Sequence, residues 1–148
     1  MARPLPLAAL AALLIAGCSA SRILVVVPDG TRVEPLQLDE WLAVHALAPG
    51  QEIGIHELGR TTGTSLHLVQ IRTKERPHVH QRHDAAVLIK RGHGTLFLGS
   101  HQLRLTPGSI VNIPRGVPHA FVNDARQPAV AFVVFSPPFD GTDVVPVP

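Results

Sequence analysis

Gly108-Ser-Ile-Val-Asn-Ile-Pro114-Arg-Gly116-Val-Pro118-His119-Ala-Phe-Val-Asn123 is the stretch on which the fold of this chain turns. Its glycines and prolines bracket two short β-compatible runs, so it reads as turn, strand, tight turn and strand. His119 lies three residues beyond the Pro114-Arg-Gly116 turn. Upstream, Pro77-His78-Val79-His80 sets two more histidines two residues apart. On a strand, residues i and i+2 share a face, so both imidazoles point the same way. Between these ends lie the apolar runs Ala85 to Ile89 and Thr95 to Leu98, each followed by a glycine. Three imidazoles converging on one point suit a divalent transition metal.

The block from Gly108 resembles the second cupin motif: Gly, five residues, Pro, one residue, Gly, two residues, His, three residues, Asn. Gly108, Pro114, Gly116, His119 and Asn123 fill every fixed position. The first cupin motif is Gly, five residues, His-x-His, three or four residues, Glu, six residues, Gly, and His78, His80 and Gly92 match it in part. Its leading glycine falls at Arg72, and counting back from Gly92 puts its glutamate at Ala85. Fifteen residues, His93 to Pro107, separate the motifs, a short spacer like that of small bacterial cupins. The resemblance covers roughly Leu66 to Phe135. It implies an all-β chain, a double-stranded β-helix or jelly-roll barrel of six or more strands with its metal site inside.

The 148 residues leave room for one domain with a single core. Hydrophobic residues make up 45% and charged ones 16%, which excludes a disordered tail. Fourteen prolines and twelve glycines suit many turns between short strands. With a formal charge of +2 and no basic block longer than two residues, the chain lacks the footprint of a nucleic-acid binder.

At the start, Met1-Ala-Arg3 is a short positive region and Leu5 to Ala16 an apolar run. That run is shorter than the ~18–20 residues a bilayer span needs and has the length of a signal-peptide core. It ends Leu14-Ile15-Ala16-Gly17-Cys18, which resembles the lipobox of bacterial lipoproteins. The resemblance implies cleavage after residue 17, acyl chains such as palmitate on Cys18, and a tether over 18–22 before a single cupin domain at 23–148. Several acyl chains anchor far more firmly than one. Ser19, rather than Asp, implies the outer membrane of a Gram-negative envelope, facing the periplasm. Cys18 is the only cysteine, so neither a disulfide nor a cysteine-based metal site is available.

Ile23 to Val27, Ile53 to Leu58, Ser65 to Ile71 and Ala129 to Phe135 read as further strands. Thr95 to Leu98 and Gln102 to Leu105 form a hairpin across Gly99-Ser-His101. One short helix is expected over Gln37 to Leu47, with Leu38, Trp41, Leu42 and His45 on one stripe before Pro49-Gly50. Arg72, Lys74 and Arg76 alternate along an expected strand and form either a rim for an anionic ligand or a solvated edge. The proline-punctuated Ser136 to Pro148 is expected along the outside, or loose.

The expected metal ligands are His78, His80 and His119, with Asp84 as a fourth. Strand parity places Ala85, Val87 and Ile89 on one face and Asp84 on the other. A bulge at Gln81 to His83 would bring Asp84 inward, and His83 is a rival fourth ligand. The metal is divalent (Fe, Mn, Zn or Ni). Two functions stay open. One is a metal-binding envelope lipoprotein holding a small-molecule ligand; the other is a metal-dependent cupin dioxygenase, isomerase or lyase, since three-histidine centres occur in cupin thiol dioxygenases. Expected partners are the small molecule and the membrane, with a homodimer open. Catalysis requires an acid or base beside the metal. With no tyrosine in the chain, His93, His101, Arg104 and Arg115 are the nearest polar candidates.

Overall fold

A computed structural model of the chain describes residues 22–26 and 33–147, with side chains from residue 35 onward. The signal segment, Cys18 and the tether to residue 21 lie outside the described residues. The elements run in order β1 (Arg22–Val26), β2 (Val33–Gln37), α1 (Leu38–Val44), β3 (Ile53–Arg60), β4 (Ser65–Ile71), β5 (His78–Val79), β6 (Asp84–Arg91), β7 (Gly94–Leu98), β8 (His101–Leu105), β9 (Ile110–Ile113), β10 (His119–Asn123), β11 (Ala129–Ser136) and β12 (Val145–Pro146). Among the described residues no helix is long and apolar enough to cross a membrane.

Two five-stranded antiparallel sheets carry the fold, ordered β12-β5-β10-β7-β8 and β3-β4-β11-β6-β9, while among the described residues β1 pairs only with β2. This is the all-β cupin jelly roll that the motifs imply. The sheets face each other as a sandwich, and among the described residues their edges are not hydrogen-bonded into one closed barrel. The reason lies at one edge. β5 and β12 are two residues long, with Pro77 before the first and Pro146 inside the second. A proline donates no ladder hydrogen bond, so such stubs cannot carry pairing across to β3.

The period-2 pattern sorts side chains onto two faces. Val69 and Ile71 of β4, Ala85 and Ile89 of β6, and Ala131, Val133 and Phe135 of β11 point between the sheets and belong to the main core. Leu68 and Val130, at alternate positions, point outward and pack with Leu38, Trp41 and Leu42 of α1. The helix is shorter than expected, stopping at Val44. There the His45 N–H and ring Nδ1 both bond the Trp41 carbonyl, at 3.0 and 2.9 Å, and the ring stacks on the indole.

The hairpin forms with a tighter turn than expected, because Leu98 pairs directly with His101 across Gly99-Ser100. Gly92 has φ +80°, and a Cβ there would lie 2.9 Å from the Ala129 backbone, so only glycine fits the end of β6. Arg72 to Arg76 does not form the expected strand; it is an irregular bend with a single bridge, Lys74 to Val122. Arg72 instead donates to the carbonyls of Leu47, Ala48 and Gln51. The C-terminal segment is not loose: it runs largely exposed along the outside, pinned by two buried side chains. Phe139 and Asp143 are 5% and 3% exposed, and β12 pairs with β5 beside His78.

Candidate metal centre

His78 and His119 meet because β5 and β10 pair, with His119 opposite His78 in register. His80 follows β5, and the Gly116 N–H bonds its carbonyl at 2.7 Å; Gly116 itself sits at φ +76° in the motif turn. All three imidazoles are buried, 4–6% exposed. Their ring centroids lie 4.9 Å (His78–His80), 4.2 Å (His78–His119) and 5.2 Å (His80–His119) apart. One nitrogen from each ring falls within 4.8 Å of the others.

The hydrogen bonds decide which nitrogen. His78 Nδ1 contacts the Arg76 carbonyl at 2.9 Å, His119 Nδ1 the Val117 carbonyl at 3.0 Å, and His80 Nδ1 the Asp143 carbonyl. A carbonyl only accepts, so each Nδ1 carries the proton and each Nε2 keeps its lone pair. Burial holds His80 below the ordinary histidine range, although the Asp143 carbonyl works the other way. Burial likewise lowers His119 to about 4, against the opposing bond to Val117. Both shifts favour the neutral ring at His80 and His119, the form that ligates a metal.

The other expected site residues fall elsewhere. Asp84 is not a ligand here: its carboxylate takes the Arg115 backbone N–H at 2.8 Å and the guanidinium at 2.6 Å. β6 is regular at this point, so Asp84 and Ala85 face opposite ways, and Ala85, 2% exposed, lines the interior. His83 is also turned away. Its Nδ1 bonds Asp143 Oδ2 at 2.6 Å and its Nε2 faces the Pro138 carbonyl at 3.2 Å. The motif residue Asn123 ties the chain around it, donating to the Arg72 and Gln127 carbonyls at 2.9 Å each. Gly108 anchors its turn through an N–H to the Ile89 carbonyl. Pro114 accepts the Val117 N–H at 3.3 Å in the turn leading to His119. His93, His101 and Arg104 lie outside the cavity wall, and Arg115 is held by Asp84.

Two residues escaped the reading of the sequence. Glu75 Oε1 lies 3.8 Å from His78 Nε2, and its side chain is 22% exposed on the cavity wall. Burial pushes its carboxyl up, with His78 pulling the other way. The second is Asp143, whose carboxylate accepts the Gln81 and Arg82 N–H groups at 3.0 and 2.8 Å as well as His83. Burial opposes its charge, but these bonds outweigh burial and hold it far below the usual carboxylate range. A signal for Glu75 was present: it is the one carboxylate within three residues of the His-x-His pair on its N-terminal side. None marked Asp143.

The three Nε2 atoms face a cavity of about 550 Å³ between the sheets, within the range of small-molecule sites. Its walls are the core side chains themselves, among them Val69, Ile71, Ile89, Leu96, Phe121 and Phe135. Exposed Ile55 of β3 and Val144 before β12 line it too, so it opens where the two sheet edges face each other.

A double-sheet jelly roll with three converging imidazoles at an interior pocket defines a class of β-fold proteins whose donor set could hold a metal ion. Residues 65–135 match the cupin domain family. A protein of Aquifex aeolicus (strain VF5), described only as uncharacterized, is 36% identical over 97 residues, 66% of this chain and 79% of the relative. KdgF from Halomonas sp. superposes with a TM-score of 0.56 at 26% identity, covering 63% of this chain and 84% of its own. Pac13, described as a β-barrel nucleoside dehydratase and, from Streptomyces, seen with uridine, gives a TM-score of 0.56 at 13% identity over 64% and 78% of the two chains. That last likeness concerns the fold alone. The chain belongs to the cupin superfamily.

Proposed function

We propose that this protein is a metal-binding cupin lipoprotein of the bacterial cell envelope, holding a divalent transition metal on His78, His80 and His119 and binding a small molecule beside it. The observation that carries this reading is the shared orientation of the three rings. Each Nδ1 is bound to a backbone carbonyl, and the Nε2 atoms lie together at a cavity. Neutral imidazoles fixed in this tautomer by a partner on the far nitrogen are the usual metal-ligand arrangement. A metal held by three neutral ligands would supply Lewis acidity and open positions for a bound molecule. What supports the envelope location is the run ending Leu14-Ile15-Ala16-Gly17-Cys18.

A second reading, a metal-dependent enzyme, is favoured by Glu75. An acid or base beside the imidazoles is what catalysis needs, and this carboxylate stands 3.8 Å from His78 Nε2 with its proton affinity raised by burial. The cupin neighbours include the dehydratase named above.

The test uses the full chain extracted from membranes of its host. Elemental analysis is expected to give one transition metal per chain, and intact mass to show loss of residues 1–17 with added acyl mass on Cys18. Replacing all three histidines by alanine removes the metal. It also removes the stabilisation that metal gives the native state, about 2.7 kcal/mol at a hundredfold excess over Kd. A triple variant that keeps its metal sinks the assignment, and an unacylated soluble form sinks the anchor.

A further inference from the structure

The cavity that faces the imidazoles has an unusual wall. Among the described residues that line it there is no Ser, Thr, Asn, Gln, Tyr or Trp. Its polar side chains are the three histidines, Glu75, and the rim residues Glu52, Lys74 and Arg76. A sugar or nucleoside seated here would bury hydroxyls with no neutral partner, and each unpaired polar group costs about 1–3 kcal/mol. The deep wall of Val69, Ile71, Leu96, Leu105, Phe121 and Ala131 instead matches an apolar body. A void of about 550 Å³ is far larger than the packing defects of an ordinary core.

The rim then sets the head group. Lys74 and Arg76 are exposed, flank the inward-turned Glu75, and form no ion pair among the described residues. Glu52, the other acid there, is bonded by the Thr73 N–H at 3.2 Å and hydroxyl at 2.5 Å. The Lys74 backbone is fixed by its bridge to Val122, so the cationic pair sits on an anchored segment.

From this arrangement we infer that the ligand is a small amphipathic acid, its apolar body between the sheets and its carboxylate on Lys74 and Arg76. The inference rests on the reading of this cavity as the ligand site beside the metal centre, and it names the class of ligand.

Calorimetric titration of the full chain with 4-phenylbutyrate, 4-phenylbutanol and uridine tests it, with metal content measured on the same samples. The acid should bind about tenfold tighter than the near-isosteric alcohol, the scale of one charge-assisted contact, and uridine should not bind detectably. The surface double variant Lys74→Gln/Arg76→Gln should bind acid and alcohol alike, with unchanged metal. Uridine binding as tightly as the acid, or an acid preference that survives the double variant, overturns the proposal while leaving the metal centre standing. An acid preference in protein that proves metal-free supports the ligand class and removes the metal assignment instead.

Discussion

His80 and His83 are three residues apart, both buried, and both edge-on to the stacked rings of Phe135 and Phe139, yet they do opposite work. His80 spends one nitrogen on the Asp143 carbonyl and leaves Nε2 facing His78 and His119. His83 has both nitrogens enclosed, one at the Asp143 carboxylate and the other at the Pro138 carbonyl. A ring with both nitrogens enclosed by other groups is a strut; a ring with one left bare, aimed at two others like it, is a ligand. The same C-terminal residue serves both, Asp143 orienting His80 through its carbonyl and holding His83 through its side chain.

The strut can be broken without touching the imidazoles of the site. Asp143→Ala leaves His83 buried without its partner and frees the Gln81 and Arg82 N–H groups. Each buried donor left without an acceptor costs about 1–3 kcal/mol, which urea denaturation reads directly. Metal affinity should fall by about ten- to a hundredfold, because the carbonyl that orients His80 moves with the tail. Asp143→Asn, which keeps one acceptor, should lie between. If Asp143→Ala retains parental stability, the distinction between strut and ligand collapses.

The sequence made one side of this contrast legible and hid the other. Gly108, Pro114, Gly116 and Asn123 are dictated by turn geometry within sixteen residues, so a local pattern suffices to place His119. His78 and His80 follow from strand parity, and so does the inward face of Ala85, all short-range properties of an extended chain. Asp143 reaches His83 across sixty residues of sequence, and no local periodicity encodes such a return. The prolines around it read as loose chain, although Phe139 beside it packs into the core. Glu75 was hidden differently. On an unbroken strand it would face away from His78, but the chain bends before Pro77 and brings both to one cavity. The open edge between the sheets was hidden for a related reason, since residue counts do not reveal that β5 and β12 are only two residues long.

Glu75 sharpens the comparison, because it stands beside the ligand rings yet outside the group whose nitrogens converge. Glu75→Gln keeps the shape and removes the charge. Metal stoichiometry should be unchanged, with affinity for manganese lowered about tenfold, the lower end for groups acting on a metal through its immediate surroundings. Titration of manganese into parent and variant measures this. A parental affinity would reduce Glu75 to cavity wall and remove the observation that favours an enzyme.

The smallest effect belongs to Asp84, next along the chain from His83 and on the face of β6 opposite the cavity. Its bonds from the Arg115 guanidinium and backbone N–H lower its carboxyl to about 2. Both side chains are substantially exposed, 40% for Asp84 and 51% for Arg115, so solvent screens the pair. Asp84→Asn should therefore leave metal affinity within about twofold of the parent, because a residue on the outer face touches no ligand. Its mark should appear only in the pH dependence of unfolding. A carboxyl whose folded pKa lies below its unfolded value binds fewer protons in the native state. Its contribution is therefore complete above the ordinary value near 3.8 and disappears as the pH falls through about 2. Parent and variant should differ slightly in denaturation midpoint at neutral pH and converge in acid. A large loss of metal from Asp84→Asn would mean that β6 carries a bulge at residue 84, turning the carboxylate inward.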